Sequence, residues 1–196
     1  MDRFVKILKQ TSDKILVGGY GVIFGGEDLV GETFTKDTDL MLDLVPVKGI
    51  FYDHGQREDI EHVIGKSINE ILREAGVWVE AELERHTRYV EEIVDLIAQK
   101  AIGYSSQPVG SLVRYDEDWK TILRWPIVEW SLTVTPAEPR TLGVERIKSI
   151  AEVNPRLKAL LLQSPGEGLN AEIVDPSGRS LIEQTQLRAR AYLALD

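Results

Sequence analysis

The segment Phe51-Tyr52-Asp53-His54-Gly55-Gln56 puts a histidine at the end of an apolar run and before a glycine turn. Ala101-Ile102-Gly103-Tyr104-Ser105-Ser106-Gln107-Pro108 places paired serines directly after a helix-forming stretch. Trp125-Pro126-Ile127-Val128-Glu129-Trp130-Ser131-Leu132 sets one carboxylate inside an otherwise apolar strand. A serine nucleophile needs a base to take its proton, and imidazole is the usual one near neutral pH. The imidazole needs a partner on its other nitrogen, to hold its tautomer and stabilise the cation. A carboxylate is seldom buried unpaired, so Glu129 calls for a partner of its own. Each segment also has a plain structural reading. A histidine at a strand end is more often structural than catalytic, serines after a helix usually bond nearby backbone, and a strand glutamate most often points outward.

Other chemistries are poorly served. The chain has no cysteine, which excludes a thiolate metal site, a cysteine nucleophile and a disulfide scaffold. Its three histidines, His54, His62 and His86, form no His-Glu-x-x-His or similar ligand spacing. Gly18-Gly19-Tyr20-Gly21 has neither the spacing nor the following helix of a phosphate loop, and reads as strand bends of a small barrel. Gly103-Tyr104-Ser105-Ser106-Gln107 lacks the closing glycine of an esterase elbow. The formal net charge is −9 over 196 residues. That excess lies wholly before residue 140, so the body repels phosphate backbones and argues against nucleic acid as a partner. No apolar run approaches the roughly 18 residues needed to span a bilayer. Met1-Asp2-Arg3-Phe4-Val5-Lys6 leads into no secretory apolar core, so a soluble intracellular protein with no membrane partner is expected.

The elements that must position these residues are mostly strands. Lys14–Phe24, Leu40–Val45, Gly49–Tyr52, Val109–Tyr115 and Ile122–Thr135 read as β, with Asp116-Glu117-Asp118 as a turn. Gly76 to Leu83 alternates, with Val77, Val79, Ala81 and Leu83 on one face and Trp78, Glu80 and Glu82 on the other. One helix is expected from about Thr87 to Lys100. Tyr89, Val90, Ile93, Val94, Ile97 and Ala98 form its apolar face, and Glu91, Glu92, Asp95 and Gln99 a solvated one. After Pro136-Ala137-Glu138-Pro139 the character changes. Residues 144–153, 155–163 and 180–195 read as helices, the last opened by the Ser180…Glu183 capping box. Ser164-Pro165-Gly166-Glu167-Gly168 is a linker. The division expected is a domain over 1–140 and a helical extension over 141–196.

Taken together, four ordered blocks between about Gly18 and Arg140 resemble the prohead (capsid maturation) serine proteases of tailed phages. That family shares its fold with the herpesvirus assembly proteases. The blocks are Gly19-Tyr20-Gly21-Val22-Ile23-Phe24-Gly25-Gly26 with Gly31-Glu32, Tyr52-Asp53-His54-Gly55 with Ile64-Gly65, Gly103-Tyr104-Ser105-Ser106, and Trp125 through Pro139 with its Glu-x-Ser-Leu and Pro-Ala-x-Pro elements. The resemblance implies an α+β, mainly β fold: a small closed or partly open β-barrel with flanking helices, plus the C-terminal helical segment. It implies Ser105 as nucleophile and His54 as general base. Herpesvirus relatives place a second histidine after the serine, but here no histidine follows His86, so an acid must substitute. Glu129 is the best placed, with Asp53 as the fallback. Backbone amides around Val113 and Arg114 are the candidates for an oxyanion hole. Gln107-Pro108 departs from the family pattern, since proline has no backbone N–H to offer.

The function implied is a serine endopeptidase without cofactor or metal. It would cleave scaffold, or the scaffold-like segment of the major capsid protein, inside an assembling procapsid in the host cytoplasm. A homo-oligomer is expected. The alternative is a catalytically inactive capsid-assembly or scaffolding protein that retains the protease fold. The apolar stripe of Val144, Ile147, Ala151, Leu157, Leu160 and Leu161 is expected to dock on the domain or on a second copy. The linker from Ser164 to Asn170 is the expected place for any self-cleavage.

Overall fold

Val77, Val79, Ala81 and Leu83 are fully buried, as their alternation requires, and they lie on a strand in the middle of the main sheet. The computed structural model describes residues 3–55, 63–87 and 89–143. All of these belong to the first of two compact units, Met1–Ile147 and Lys148–Asp196. The helices, capping box, linker and apolar stripe expected after residue 143 lie outside the described residues, as does His62.

The strands in chain order are β1 (Lys6–Gln10), β2 (Lys14–Ile23), β3 (Thr33–Asp39), β4 (Gly49–Tyr52), β5 (Gly65–Arg73), β6 (Gly76–Glu84), β7 (Gly103–Pro108), β8 (Arg114–Tyr115), β9 (Thr121–Arg124) and β10 (Ile127–Thr133). Seven of them form one sheet in the order β1-β2-β6-β5-β4-β10-β7. Every neighbour in it is antiparallel except β4 and β10, which run parallel. The remaining three form a second sheet, β3-β9-β8. The fold is mainly β, and the large sheet curls into a half-barrel. The closed form of the expected barrel is corrected: β1 and β7 remain as edges and do not pair. Pro108, which can donate nothing to a ladder, sits on that β7 edge, where a missing N–H is tolerated.

The concave side holds one core built from β2, β4, β6, β7, β10 and the helix α1 (Val90–Ala98). Trp130 is its largest fully buried side chain. Its ring lies against β2 at Gly21, where a Cβ would come within 2.3 Å of it. The β2 ladder carries an irregularity at that point, between Tyr20 and Val22. Gly21 therefore serves both as the bend the sequence suggested and as the gap that admits the indole. On the opposite face, Trp78 packs edge-on against Tyr20 with ring centroids 5.4 Å apart. Helix α1 buries Val90, Ile93 and Ile97 and exposes Glu91, Glu92 and Asp95. It is shorter than the expected Thr87–Lys100 because Tyr89 and Lys100 take left-handed backbone at its two ends.

Three expected strands are corrected. Leu40–Val45 is a 3-10 turn over Leu42–Leu44, since the fully buried Lys48 draws the Leu42 and Val45 carbonyls onto its Nζ at 2.7 and 2.8 Å. Val109–Tyr115 breaks into a 3-10 turn, Gly110–Leu112, and the two-residue β8. Ile122–Thr135 divides at Trp125-Pro126 into β9 and β10, which join different sheets. The strands β1, β3 and β5 are too exposed to show an apolar alternation, and sequence periodicity missed them. Among the described residues α1 is the one α-helix, so the flanking helices of the expected fold reduce to it.

Candidate active site

Strand β10 lies between β4 and β7, and its register decides what meets over its outer face. Ser131 pairs with Phe51 on β4 and with Ser105 on β7. Directly opposed residues project to the same side of a sheet, and alternate residues of one strand share a side. Glu129, Ser131, Thr133 and Ser105 therefore stand on one face. Tyr104, Trp130 and Leu132 point the other way and are fully buried.

Chain leaving β4 enters a tight turn at Asp53, His54 and Gly55, with φ of 48°, 56° and 65°. This is a run of left-handed backbone, which only glycine adopts without cost. The turn lays His54 over the outer face of β10. His54 Nδ1 is 2.8 Å from Glu129 Oε1, and its backbone N–H donates to Ser131 Oγ at 2.8 Å. Glu129, the carboxylate in an apolar strand, thus has a histidine as its partner. With Nδ1–H donating to the carboxylate, Nε2 keeps its lone pair and is the basic nitrogen. The two side chains are each about a fifth exposed, at 19% and 18%, so the pair is sheltered yet reachable from solvent. Ser105 is half-buried on the next strand, opposite the residue that holds His54.

The two adjacent serines are separated by facing. Ser106 pairs with Trp130 in the ladder and accepts a hydrogen bond from Trp125 Nε1 at 3.0 Å. It faces away from His54 and is committed to a structural bond. Asp53, the fallback acid, is corrected: its Oδ1 accepts from Thr133 Oγ1 at 2.9 Å, while Glu129 takes the imidazole. The oxyanion assignment to Val113 is also corrected. Its N–H already donates to the Gly110 carbonyl, and Arg114 belongs to the second sheet. His86 is exposed in the turn after β6. Among the described residues no three His, Asp or Glu side chains gather as metal ligands would.

Several supporting residues escaped sequence reasoning. Ser131 and Thr133 bind the His54 turn, and their spacing from Glu129 by two and four was the available signal. Behind β10, Trp130 Nε1 donates to Glu70 Oε1 at 2.7 Å, and Glu70 Oε2 accepts from Lys48 Nζ at 2.7 Å. This buried chain fixes the inner face of the strand whose outer face carries Glu129. Gly103 opens β7 against the segment after β10: a Cβ there would lie 2.3 Å from Thr141 Oγ1 and 3.0 Å from Pro136. The glycine two residues before Ser105 is thus required by close packing.

No protein-family model matches the chain, and no curated protein is significantly similar to it in sequence. No helix among the described residues is long and apolar enough to cross a membrane.

Proposed function

We propose that this chain is a serine endopeptidase with Ser105, His54 and Glu129 as its triad. The observation that carries the reading is the His54 Nδ1–Glu129 Oε1 contact of 2.8 Å on the face where Ser105 stands opposite Ser131. Ser105 Oγ attacks a peptide carbonyl as His54 Nε2 takes its proton. Glu129 holds the ring and stabilises the imidazolium. The imidazolium then protonates the leaving amine, and an acyl-enzyme remains on Ser105. Water attacks that ester with His54 again as base, releasing the acid and restoring the serine.

The resemblance of four ordered blocks to prohead proteases supplies the substrate class: scaffold, or the scaffold-like segment of a major capsid protein, within an assembling procapsid. The acidic body, at −9 overall, agrees with a protein partner and not a nucleic acid. The reading includes a homo-oligomer, a fold of the herpesvirus-protease kind and action in the host cytoplasm.

The test is a fluorophosphonate probe on concentrated full-length protein, read by intact mass and peptide mapping. Co-expression of the chain or its Ser105→Ala form with a major capsid protein that carries a scaffold-like segment is the second arm. A single adduct on Ser105, and capsid cleavage lost with Ser105→Ala, are the expected results. Cleavage that persists unchanged in Ser105→Ala overturns the assignment.

A further inference from the structure

Glu129, Ser131 and Thr133 are alternate residues of β10, and each binds a different atom of the turn that carries His54. Glu129 Oε1 takes the ring at Nδ1, 2.8 Å away. Ser131 Oγ takes the His54 backbone N–H at 2.8 Å and lies 3.4 Å from the Phe51 carbonyl. Thr133 Oγ1 donates to Asp53 Oδ1 at 2.9 Å. A two-residue repeat along a strand puts successive side chains of one face nearly 7 Å apart, which matches the reach of a three-residue turn laid along it. The turn needs such holding. Asp53 and His54 are non-glycine residues in left-handed backbone, a conformation that persists only where the surroundings over-determine it.

We infer that Ser131 and Thr133 are positioning residues for His54, Ser131 through the backbone amide and Thr133 through the Asp53 carboxylate. The inference rests on the triad reading above. Ser131 has the larger part, because it is also the ladder partner of Ser105. One fully buried residue therefore holds the base's backbone through its hydroxyl and pairs through its main chain with the nucleophile's strand. Without its hydroxyl the His54 amide loses its acceptor, and the ring is held mainly by Glu129.

The experiment uses full-length protein with Ser131→Ala, Thr133→Val and Thr133→Ser. Two quantities are read: the saturating rate and half-saturating concentration of fluorophosphonate labelling at Ser105, and the ring nitrogen signals of His54 in long-range ¹H–¹⁵N NMR. For Ser131→Ala the saturating rate should fall on the order of 100-fold, the effect of a small misplacement of reacting groups, with half-saturation unchanged. The His54 signals should move from the single Nδ1–H tautomer toward a mixture. Thr133→Val should act in the same direction, and Thr133→Ser, which keeps the hydroxyl, should restore both quantities. Folded Ser131→Ala and Thr133→Val proteins with wild-type rates and unmoved ring signals would overturn the inference. If Ser131→Ala does not fold, Thr133→Val against Thr133→Ser decides it. If wild type is not labelled at Ser105, the protease reading fails, and the ring signals alone decide whether these hydroxyls position His54.

Discussion

Ser131 and Ser105 are ladder partners across β10 and β7, and Ser131 also accepts the backbone N–H of His54. One residue thus links two segments whose chemical groups are 51 positions apart in the chain. The spatial relation of serine to histidine is set by strand register.

Glu129→Gln should leave the fold intact and reduce labelling of Ser105 by about 10³- to 10⁴-fold, because an amide no longer enforces the Nδ1–H tautomer or stabilises the imidazolium. Stopped-time labelling read by intact mass measures it. A loss of less than tenfold would remove Glu129 from the triad.

Ser106→Ala should keep the labelling rate, since Ser106 faces away from His54. It strips the acceptor from Trp125 Nε1 and should cost about 1–2 kcal/mol in urea unfolding. Loss of labelling with stability unchanged would reverse the roles given to the two serines.

Tyr104 is fully buried, and its hydroxyl has no hydrogen-bond partner among the described residues. Burial pushes that hydroxyl's pKa up, with the Glu80 charge adding to the effect. Tyr104→Phe removes a desolvated group that makes no bond, so stability should be unchanged or rise by about 1 kcal/mol. Denaturant unfolding checks this, and a clear loss of stability would show that the hydroxyl is satisfied in solution.

Asp28 sits in the loop between β2 and β3, where its Oδ1 accepts from the Val30 and Glu32 amides at 2.9 Å each. Burial, with the charges of Glu32 and Glu138 nearby, raises its pKa to about 7. The folded state then holds this proton where the unfolded state, near 3.8, has released it. Its effect is a stability that is full below about pH 4, declines as pH rises to about 7, and is flat beyond, the whole drop being at most about 4 kcal/mol. Asp28→Asn keeps an oxygen for both amides and removes the charge, so it should flatten that decline and stabilise the protein at pH 8. Urea unfolding from pH 4 to 8 measures it; an undiminished decline in the variant would place its origin elsewhere.

Gly103→Ala should destabilise the protein by about 1–3 kcal/mol, as overpacking does, because the new methyl meets Thr141 Oγ1 and Pro136. Labelling of Ser105, two residues on, should slow with it. Unchanged melting and labelling would show that the Pro136–Thr141 segment gives way freely.

Local chemistry was legible in the sequence wherever neighbours along the chain set the structure. The alternation of Val77 through Leu83 and the helical spacing of Val90, Ile93 and Ile97 mark their buried faces directly. Glu129 in an apolar strand signalled a missing partner, and His54 before Gly55 signalled a turn. The exposed strands β1, β3 and β5 were not legible, because half or more of their side chains meet water and leave no apolar period to read.

Residue types and local periodicity by themselves determined that residues 1–143 are mainly β with one amphipathic helix, and singled out a serine, a histidine and a carboxylate as candidates. Only the tertiary structure decided how they are disposed: β10 runs parallel to β4 and antiparallel to β7, which brings Glu129 to His54 and sets Ser131 against Ser105 on the same face. It also chose Glu129 over Asp53 and turned Ser106 to the other face. A shift of one residue in register would send every one of these side chains to the opposite side of the sheet. Register is fixed by contacts between distant segments, here Trp130 against Gly21 and the Lys48–Glu70–Trp130 chain behind β10, and no short stretch of sequence contains both partners.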